Sequence, residues 1–196
     1  MIVLRSLCVY CGSSPGNDPR FAEAAKTLGG LLAAHGIRLV YGGARIGVMG
    51  AVADAVLAAG GEVVGVIPHA LTDKEVAHDG LTELHVVDSM HQRKAMMADL
   101  SDGFIALPGG IGTFEELFEI WTWGQLGIHA KPCGLLNVAG YYDLLVAFLD
   151  GSAEAGFIRP RHRSMLLTAD SAEALLSAMR GYQPPATRRW IGREET

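Results

Sequence analysis

Short apolar runs alternate with longer amphipathic stretches along most of this chain. Runs such as residues 63–67 and 104–107 carry apolar side chains on both of their faces. A strand with two apolar faces is typical of a parallel sheet that helices cover on each side. The pattern therefore predicts an α/β fold: a Rossmann-like, doubly wound parallel sheet with helices on both faces, formed by a single domain over residues 1–182.

Glycine, proline and polar clusters separate these stretches and set the expected bounds of each element. Strands are predicted over 7–10, 37–41, 62–67, 84–87, 103–107, 133–138 and 165–168. Helices are predicted over 19–35, 47–59, 89–100, 113–126, 142–154 and 171–179, with a polar, irregular segment at 69–81. Residues 183–196 form a tail that we expect to be mobile.

The most informative break is the glycine-rich turn 108–112, which lies between the fifth predicted strand and a helix. Glycines let a ligand approach the backbone closely, and a helix N-terminus offers an anion unpaired N–H groups and a favourable dipole. We interpret this turn as a phosphate-binding loop. Similar turns, 12–16 and 42–47, follow the first two strands, so we expect all three to converge on one crevice at the carboxyl ends of the strands.

These turns lack the signatures of the common nucleotide-binding motifs. Neither the Gly-x-Gly-x-x-Gly spacing of dinucleotide-binding proteins nor a Walker-type Gly-Lys-Ser/Thr is present in the sequence. The fold thus indicates a nucleotide without specifying NAD or ATP. The missing fingerprint disfavours a nicotinamide-dependent oxidoreductase, whereas a nucleotide-binding module without catalysis stays open as an alternative.

Two carboxylates, Glu115 and Glu116, lie close behind the proposed phosphate loop. Glu116 has two interpretations that spacing alone does not separate. It lies beside the place where a phosphate would bind, but Thr113-x-x-Glu116 also fits a capping box, in which the glutamate bonds to the N-cap backbone. Glu115 has the simpler alternative of complementing the helix dipole.

Basic and acidic residues on neighbouring segments are further candidates for the crevice at the carboxyl ends of the strands. Arg93 and Lys94 open the helix after the fourth strand, where they can meet a phosphate or Glu116, or lie in solvent as surface charges. Glu75 lies in the irregular segment after the third strand, where its alternative is an ordinary loop charge. Trp121 and Trp123 give the fifth-strand helix bulky side chains on more than one side, which favours burial against a second subunit.

Composition narrows the class of partner and the setting. The chain has 196 residues, a hydrophobic content of 49% and a formal net charge of −5, which disfavours a nucleic-acid polymer as partner. Its cysteines, Cys8, Cys11 and Cys133, lack metal-ligand spacing, so we predict buried thiols and no metal. No signal peptide or membrane span is apparent, and we expect a cytoplasmic protein without membrane contact.

Several of these motifs together resemble one known family. The chain is similar to the LOG-type (Lonely Guy) cytokinin riboside 5'-monophosphate phosphoribohydrolases from about residue 8 to residue 158. The resemblance lies in Pro108-Gly109-Gly110-Ile111-Gly112-Thr113-Phe114-Glu115-Glu116, Met90-His91-Gln92-Arg93-Lys94, Cys11-Gly12-Ser13-Ser14, Tyr41-Gly42-Gly43 and Thr122-Trp123-x-Gln125-Leu126-Gly127.

The resemblance implies a homodimer that cleaves the N-glycosidic bond of an N6-modified adenosine 5'-monophosphate, yielding the free base and ribose 5-phosphate, without a cofactor. By motif position, it implies that Arg93 and Glu116 are catalytic. The residues that it implies for substrate binding are Ser13, Gly43, Glu75, Arg93, Lys94, Gly109, Gly110, Ile111, Gly112, Thr113, Glu115, Glu116 and Thr122.

Proteins of this family have often been labelled lysine decarboxylases, and the sequence gives that label little support. Lysine decarboxylation uses pyridoxal phosphate held by a lysine Schiff base. The chain has few lysines, and none occurs in an evident cofactor-holding motif. A glycosidase instead needs a carboxylate near a sugar carbon that gains positive charge, and we hypothesise that Glu116 supplies it while Arg93 holds the phosphate or that carboxylate.

Overall fold

One sheet of seven parallel strands organises the molecule, as seen in a computed structural model that describes residues 2–72 and 77–186. The strands are β1 (Ser6–Tyr10), β2 (Arg38–Tyr41), β3 (Val63–Pro68), β4 (Glu83–Val87), β5 (Phe104–Ala106), β6 (Cys133–Leu136) and β7 (Leu166–Ala169). Their order across the sheet is β4-β3-β2-β1-β5-β6-β7. The predicted doubly wound parallel sheet is confirmed, with strand bounds close to those expected.

Helices connect the strands and cover both faces of the sheet. They are α1 (Pro19–Ala34), α2 (Gly47–Ala58), α3 (His69–Thr72), α4 (Met90–Asp99), α5 (Ile111–Gln125), α6 (Asp143–Glu154), α7 (Pro160–Arg163) and α8 (Ala172–Arg180). The four-residue helices α3 and α7 were not predicted, because a single turn has too few residues to show a helical period. Within the described residues, no helix is long and apolar enough to cross a membrane.

The strand order reverses at β1, whose two neighbours are β2 and β5. The chain therefore leaves β1 and β5 at the same edge of the sheet, and the two following loops lie side by side. The backbone N–H of Gly12 donates to the carbonyl of Pro108 across this gap at 3.1 Å. Such a switch point is where ligands bind in open α/β sheets.

Each face of the sheet packs against its own hydrophobic core. On one face, α1, α2 and α8 contribute side chains such as Leu28, Val52 and Leu175. On the other face, α4, α5 and α6 contribute Met97, Leu117 and other buried side chains. The helices that carry the predicted site residues, α4 and α5, therefore share one side of the sheet and approach its carboxyl edge together.

Gly29 allows α1 and α2 to pack closely. A Cβ at this position would lie 2.7 Å from the Val52 carbonyl oxygen and 2.8 Å from the Ala55 Cβ, both on α2. Gly30, the next residue of α1, has open space where its Cβ would be. Two adjacent helical glycines thus differ only in whether a methyl group fits.

We expect Gly29→Ala to lower the free energy of unfolding by about 1–3 kcal/mol, since overpacking forces the helices apart. Gly30→Ala is the matched control and should raise it by roughly 0.5–1 kcal/mol, because alanine favours a helix. Urea denaturation of both variants measures the difference. Equal effects of the two substitutions would contradict the close packing of α1 on α2.

Candidate active site

A cavity of about 290 Å³ opens at the switch point of the sheet. The loop after β1 forms one wall, the first turns of α5 form another, and α4 closes a third side. Its lining residues are Cys11, Gly12, Ser13, Met49, Leu71, Met90, Arg93, Gly110, Ile111, Gly112, Thr113, Glu115 and Glu116. The lining thus combines polar and charged groups with three apolar side chains, those of Met49, Leu71 and Met90.

The N-terminus of α5 presents unpaired donors to this cavity. The helix begins at Ile111 with Gly110 as its N-cap, and no side chain caps it. Among the described residues, no acceptor pairs with the backbone N–H groups of residues 111–113. These groups carry the positive end of the helix dipole, so this end of the cavity suits an anion.

Gly109 is required where the turn before α5 meets the loop after β1. A Cβ at Gly109 would collide with the Thr113 hydroxyl and would lie 2.8 Å from the backbone nitrogen of Gly12. A side chain here would therefore separate the two loops. Gly109 lines a second, neighbouring cavity and not the main one. Its contribution to the main cavity is to let the turn before α5 approach the loop after β1 closely.

Glu116 lies in the second turn of α5 and is buried, with 6% of its surface exposed. The capping-box interpretation is wrong, because the helix starts two residues earlier than predicted and Thr113 is its third residue. In a capping box the glutamate is the third residue of the helix, and Glu116 lies three residues beyond that position. The carboxylate instead lines the cavity, one turn beyond the free N–H groups.

Arg93 approaches the same part of the cavity from α4. Ser89 caps this helix by accepting from the backbone N–H of Gln92. The Arg93 side chain is 3% exposed, and its Nη2 donates to the carbonyl oxygen of Gly42 at 3.1 Å. A Cβ at Gly42 would collide with this guanidinium, so the glycine turn after β2 accommodates the arginine.

The charges of Arg93 and Glu116 both act on the cysteine at the floor of the cavity. Burial raises the pKa of the Cys11 thiol, the nearby Glu116 carboxylate raises it further, and Arg93 lowers it. The same two charges act on Cys8, which lies three residues earlier, on β1. All three cysteines are buried free thiols, as predicted, and Cys11 is a neutral group beneath the charged pair.

Lys94 does not line the cavity. Its side chain is 9% exposed and its Nζ bridges two carboxylates of α5, Glu115 at 2.5 Å and Glu119 at 2.9 Å. Burial alone would lower the pKa of Lys94, but the hydrogen bonds and charges of both glutamates outweigh it and raise the pKa. The lysine thus ties α4 to α5, next to Arg93 and Glu116.

The structure separates the other predicted site residues into three groups. Ser13 joins the turn residues in the cavity wall. Gly43 packs against Ile67 and Leu84 instead, and the exposed Thr122 hydroxyl donates to the Phe118 carbonyl on the outer side of α5. Glu75 lies outside the described residues. Met49 and Leu71 were not predicted as lining residues, because isolated apolar residues carry no sequence signal that distinguishes a cavity wall from the core.

The fold and this crevice define a Rossmann-like α/β protein whose ligand site lies at the switch point of the sheet. A family model described as "Possible lysine decarboxylase" matches residues 49–179. A cytokinin riboside 5'-monophosphate phosphoribohydrolase of Rhodococcoides fascians is 51% identical over 90% of this chain and 89% of its own length. One from Arabidopsis thaliana is 50% identical over 92% of this chain and 84% of its own. The chain belongs to this LOG family, as the sequence motifs predicted.

Solved structures with the same fold are more distant in sequence. A molybdenum cofactor binding protein from Rippkaea orientalis is 21% identical, with a TM-score of 0.69, over 92% of this chain and 98% of that one. The molybdenum cofactor carrier protein of Chlamydomonas reinhardtii is 22% identical, with a TM-score of 0.68, over 92% and 98%. At these identities the likeness supports the fold alone.

The described lysines do not fit a lysine decarboxylase. Lys26 pairs with Glu23 on the exposed side of α1, and Lys131 donates to the carbonyl of Ala98. With Lys94 engaged by two carboxylates, no described lysine lines the cavity, where a Schiff base would have to form.

We expect Lys94→Met to lower the free energy of unfolding by about 1–2 kcal/mol, because Glu115 and Glu119 lose their shared partner. The raised pKa means that this stabilisation is present at neutral pH. It is lost only as the pH rises above about 10.4, the unfolded value, and through the folded one. Urea denaturation at neutral pH measures the loss, and Lys26→Met, which breaks an exposed pair, should cost roughly 0–1 kcal/mol. A Lys94 variant as stable as the Lys26 control would contradict the proposed tie.

Proposed function

We propose that this chain hydrolyses the N-glycosidic bond of N6-modified adenosine 5'-monophosphates and releases the free base and ribose 5-phosphate. The observation that carries the proposal is the buried Glu116 carboxylate in a cavity whose rim offers unpaired N–H groups. The names of the relatives at about half identity describe the same reaction. The enzyme class is that of an N-glycosidase acting on a nucleoside monophosphate.

The 5'-phosphate of the substrate binds at the N-terminus of α5. Residues 110–113 supply backbone N–H groups there, and Ser13 and Thr113 are among the residues that line the cavity. This binding energy is remote from the reacting carbon, so it positions the ribose without taking part in bond cleavage. A monophosphate should consequently react faster than the corresponding nucleoside.

Glu116 faces the ribose in this arrangement. As the bond to the base breaks, positive charge develops on the sugar, and a nearby carboxylate stabilises it and orients the attacking water. Arg93 lies on the adjoining wall as the second catalytic residue, and its bond to Gly42 fixes the guanidinium. A positive neighbour favours the ionised form of a carboxylate, which suits stabilisation of a cation.

Three further residues implied by the family motifs, Glu75, Gly43 and Lys94, keep a proposed substrate role. Glu75 lies outside the described residues, and its proposed role rests on the family motifs alone. Gly43 keeps its proposed role through the turn that also holds Arg93. Lys94 would act on substrate by way of Glu115, which lines the cavity.

A homodimer is part of this proposal. The tryptophans that suggested it lie in the chain's own core: Trp121 is 6% exposed, and its Nε1 donates to the His162 carbonyl at 3.0 Å. The supporting surface lies instead on and beside α6, where Leu144 is 87%, Phe148 69% and Phe157 89% exposed. Thr122 faces away from its own cavity, so a role in substrate binding would require a second copy.

Light scattering at micromolar concentration should give about twice the mass of one chain, because an exposed apolar patch of this kind is typical of an interface. A monomeric mass would contradict the dimer. The cytoplasmic location stays a prediction, and the three free thiols are consistent with a reducing compartment.

Glu116→Gln tests the proposed function. We expect release of base from N6-isopentenyladenosine monophosphate to fall by about 10²–10⁴-fold, since the glutamine keeps the shape but not the charge. Chromatography of the free base measures the rate. Glu119→Gln is the matched control, one turn along α5 and paired with Lys94, and its rate should stay within roughly threefold of wild type.

Wild-type protein that binds the monophosphate without releasing base would contradict the enzyme and favour the non-catalytic nucleotide-binding module. Near-normal activity of Glu116→Gln would instead retain the enzyme and remove the role given to this carboxylate.

A further inference from the structure

Three successive carbonyl groups before α5, those of residues 107–109, each accept a hydrogen bond from a different residue outside this helix. The Leu107 carbonyl accepts from the Tyr142 hydroxyl at 2.7 Å. The Pro108 carbonyl accepts from the Gly12 backbone at 3.1 Å. The Gly109 carbonyl accepts from the Tyr141 hydroxyl at 2.5 Å. The tyrosine pair thus holds the peptide groups on either side of the one held by Gly12.

The direction of these carbonyls matters to an anion site. A row of N–H groups attracts an anion, and a carbonyl oxygen turned into the same space repels it. Because N–H and C=O point in opposite directions across a trans peptide, holding the Gly109 oxygen on the outer side directs the Gly110 N–H away from Tyr141. The bond from Tyr141 therefore sets the polarity of the peptide that leads into α5.

This peptide needs such a restraint more than its neighbours do. It joins two glycines, Gly109 and Gly110, and glycine adopts positive and negative φ with similar ease. Rotation of the peptide meets little steric resistance at Gly110, where a Cβ would find open space. The Tyr141 hydroxyl is the side-chain donor that opposes this rotation.

The two tyrosines are themselves held in place by the loop after β6. The side chain of Asn137 accepts from the Tyr142 backbone at 2.8 Å and donates to Asp143 at 2.7 Å. The Tyr141 and Tyr142 rings meet edge to face with their centroids 4.9 Å apart, and Phe21 packs on Tyr141 at 5.5 Å. Tyr142 is buried, whereas Tyr141 is 39% exposed beside the second cavity.

We propose that Tyr141 is a positioning residue for the phosphate group: its hydroxyl fixes the Gly109–Gly110 peptide so that the loop presents N–H groups, and not a carbonyl, to the anion. The proposal rests on the function proposed above, since it concerns the same site. Tyr141 does not line the main cavity and acts only through the loop.

Tyr141→Phe keeps the ring and its packing and removes the hydroxyl. We expect the affinity for inorganic phosphate, measured by calorimetry, to fall roughly three- to tenfold, as for the loss of one hydrogen bond. The KM for adenosine monophosphate should rise by the same factor with kcat within about twofold of wild type, and kcat/KM for adenosine should not change. Tyr182→Phe is the matched control, because within the described residues its buried hydroxyl has no partner. It should leave all these values unchanged.

Unchanged phosphate affinity in Tyr141→Phe would overturn the proposal. An equal loss of kcat/KM for adenosine and its monophosphate would also overturn it, since a general structural defect affects both substrates. Calorimetry measures the affinity of the loop for inorganic phosphate and does not depend on catalysis. If the wild-type protein released no base, the proposed function would be contradicted, but this test of Tyr141 could still be made.

Discussion

The hydrogen bond between the Gly12 backbone and the Pro108 carbonyl is the contact on which the site depends. It exists because β1 and β5 are neighbours, although nearly half of the chain separates them in sequence. A parallel sheet whose strand order reverses must leave two loops adjacent at one edge. Glycines at positions 12 and 109 let these loops touch, and the start of α5 is thereby fixed against the end of β1.

Arg93 and Glu116 meet at the cavity because of where α4 and α5 pack on the sheet. Both helices cover the same face, so Arg93 on one and Glu116 on the other approach the cavity from adjoining sides. Burying two charged groups is costly unless each has partners. Gly42 receives the arginine, and the Lys94 bridge to α5 holds the helices together one residue further along. Several polar contacts thus hold these two side chains at one cavity, as is expected of a reactive site.

The fold was predictable because apolar runs and glycine turns report local structure directly. The glycine turn before α5 was predictable for the same reason, whereas its binding of a phosphate stays a prediction. The start of α5 was placed two residues late, because Thr113 resembles an N-cap and glycine caps leave no side-chain signal. The sequence left Lys94 between a phosphate, a carboxylate and solvent, since it gives the charge of a side chain but not its direction. The hydrogen bonds from Tyr141 and Tyr142 to the turn before α5 could not be predicted from the sequence, because they join residues more than thirty positions apart.

The fold itself does not decide between catalysis and binding, because related folds occur in proteins described as molybdenum cofactor carriers. The decision rests on where a nucleotide lies relative to Glu116. A crystal structure of the Glu116→Gln variant with N6-isopentenyladenosine monophosphate measures this directly. The account predicts phosphate oxygens about 3 Å from backbone nitrogens of residues 110–113 and the anomeric carbon beside the residue 116 side chain. A phosphate bound elsewhere, or a ribose turned away from residue 116, would contradict it.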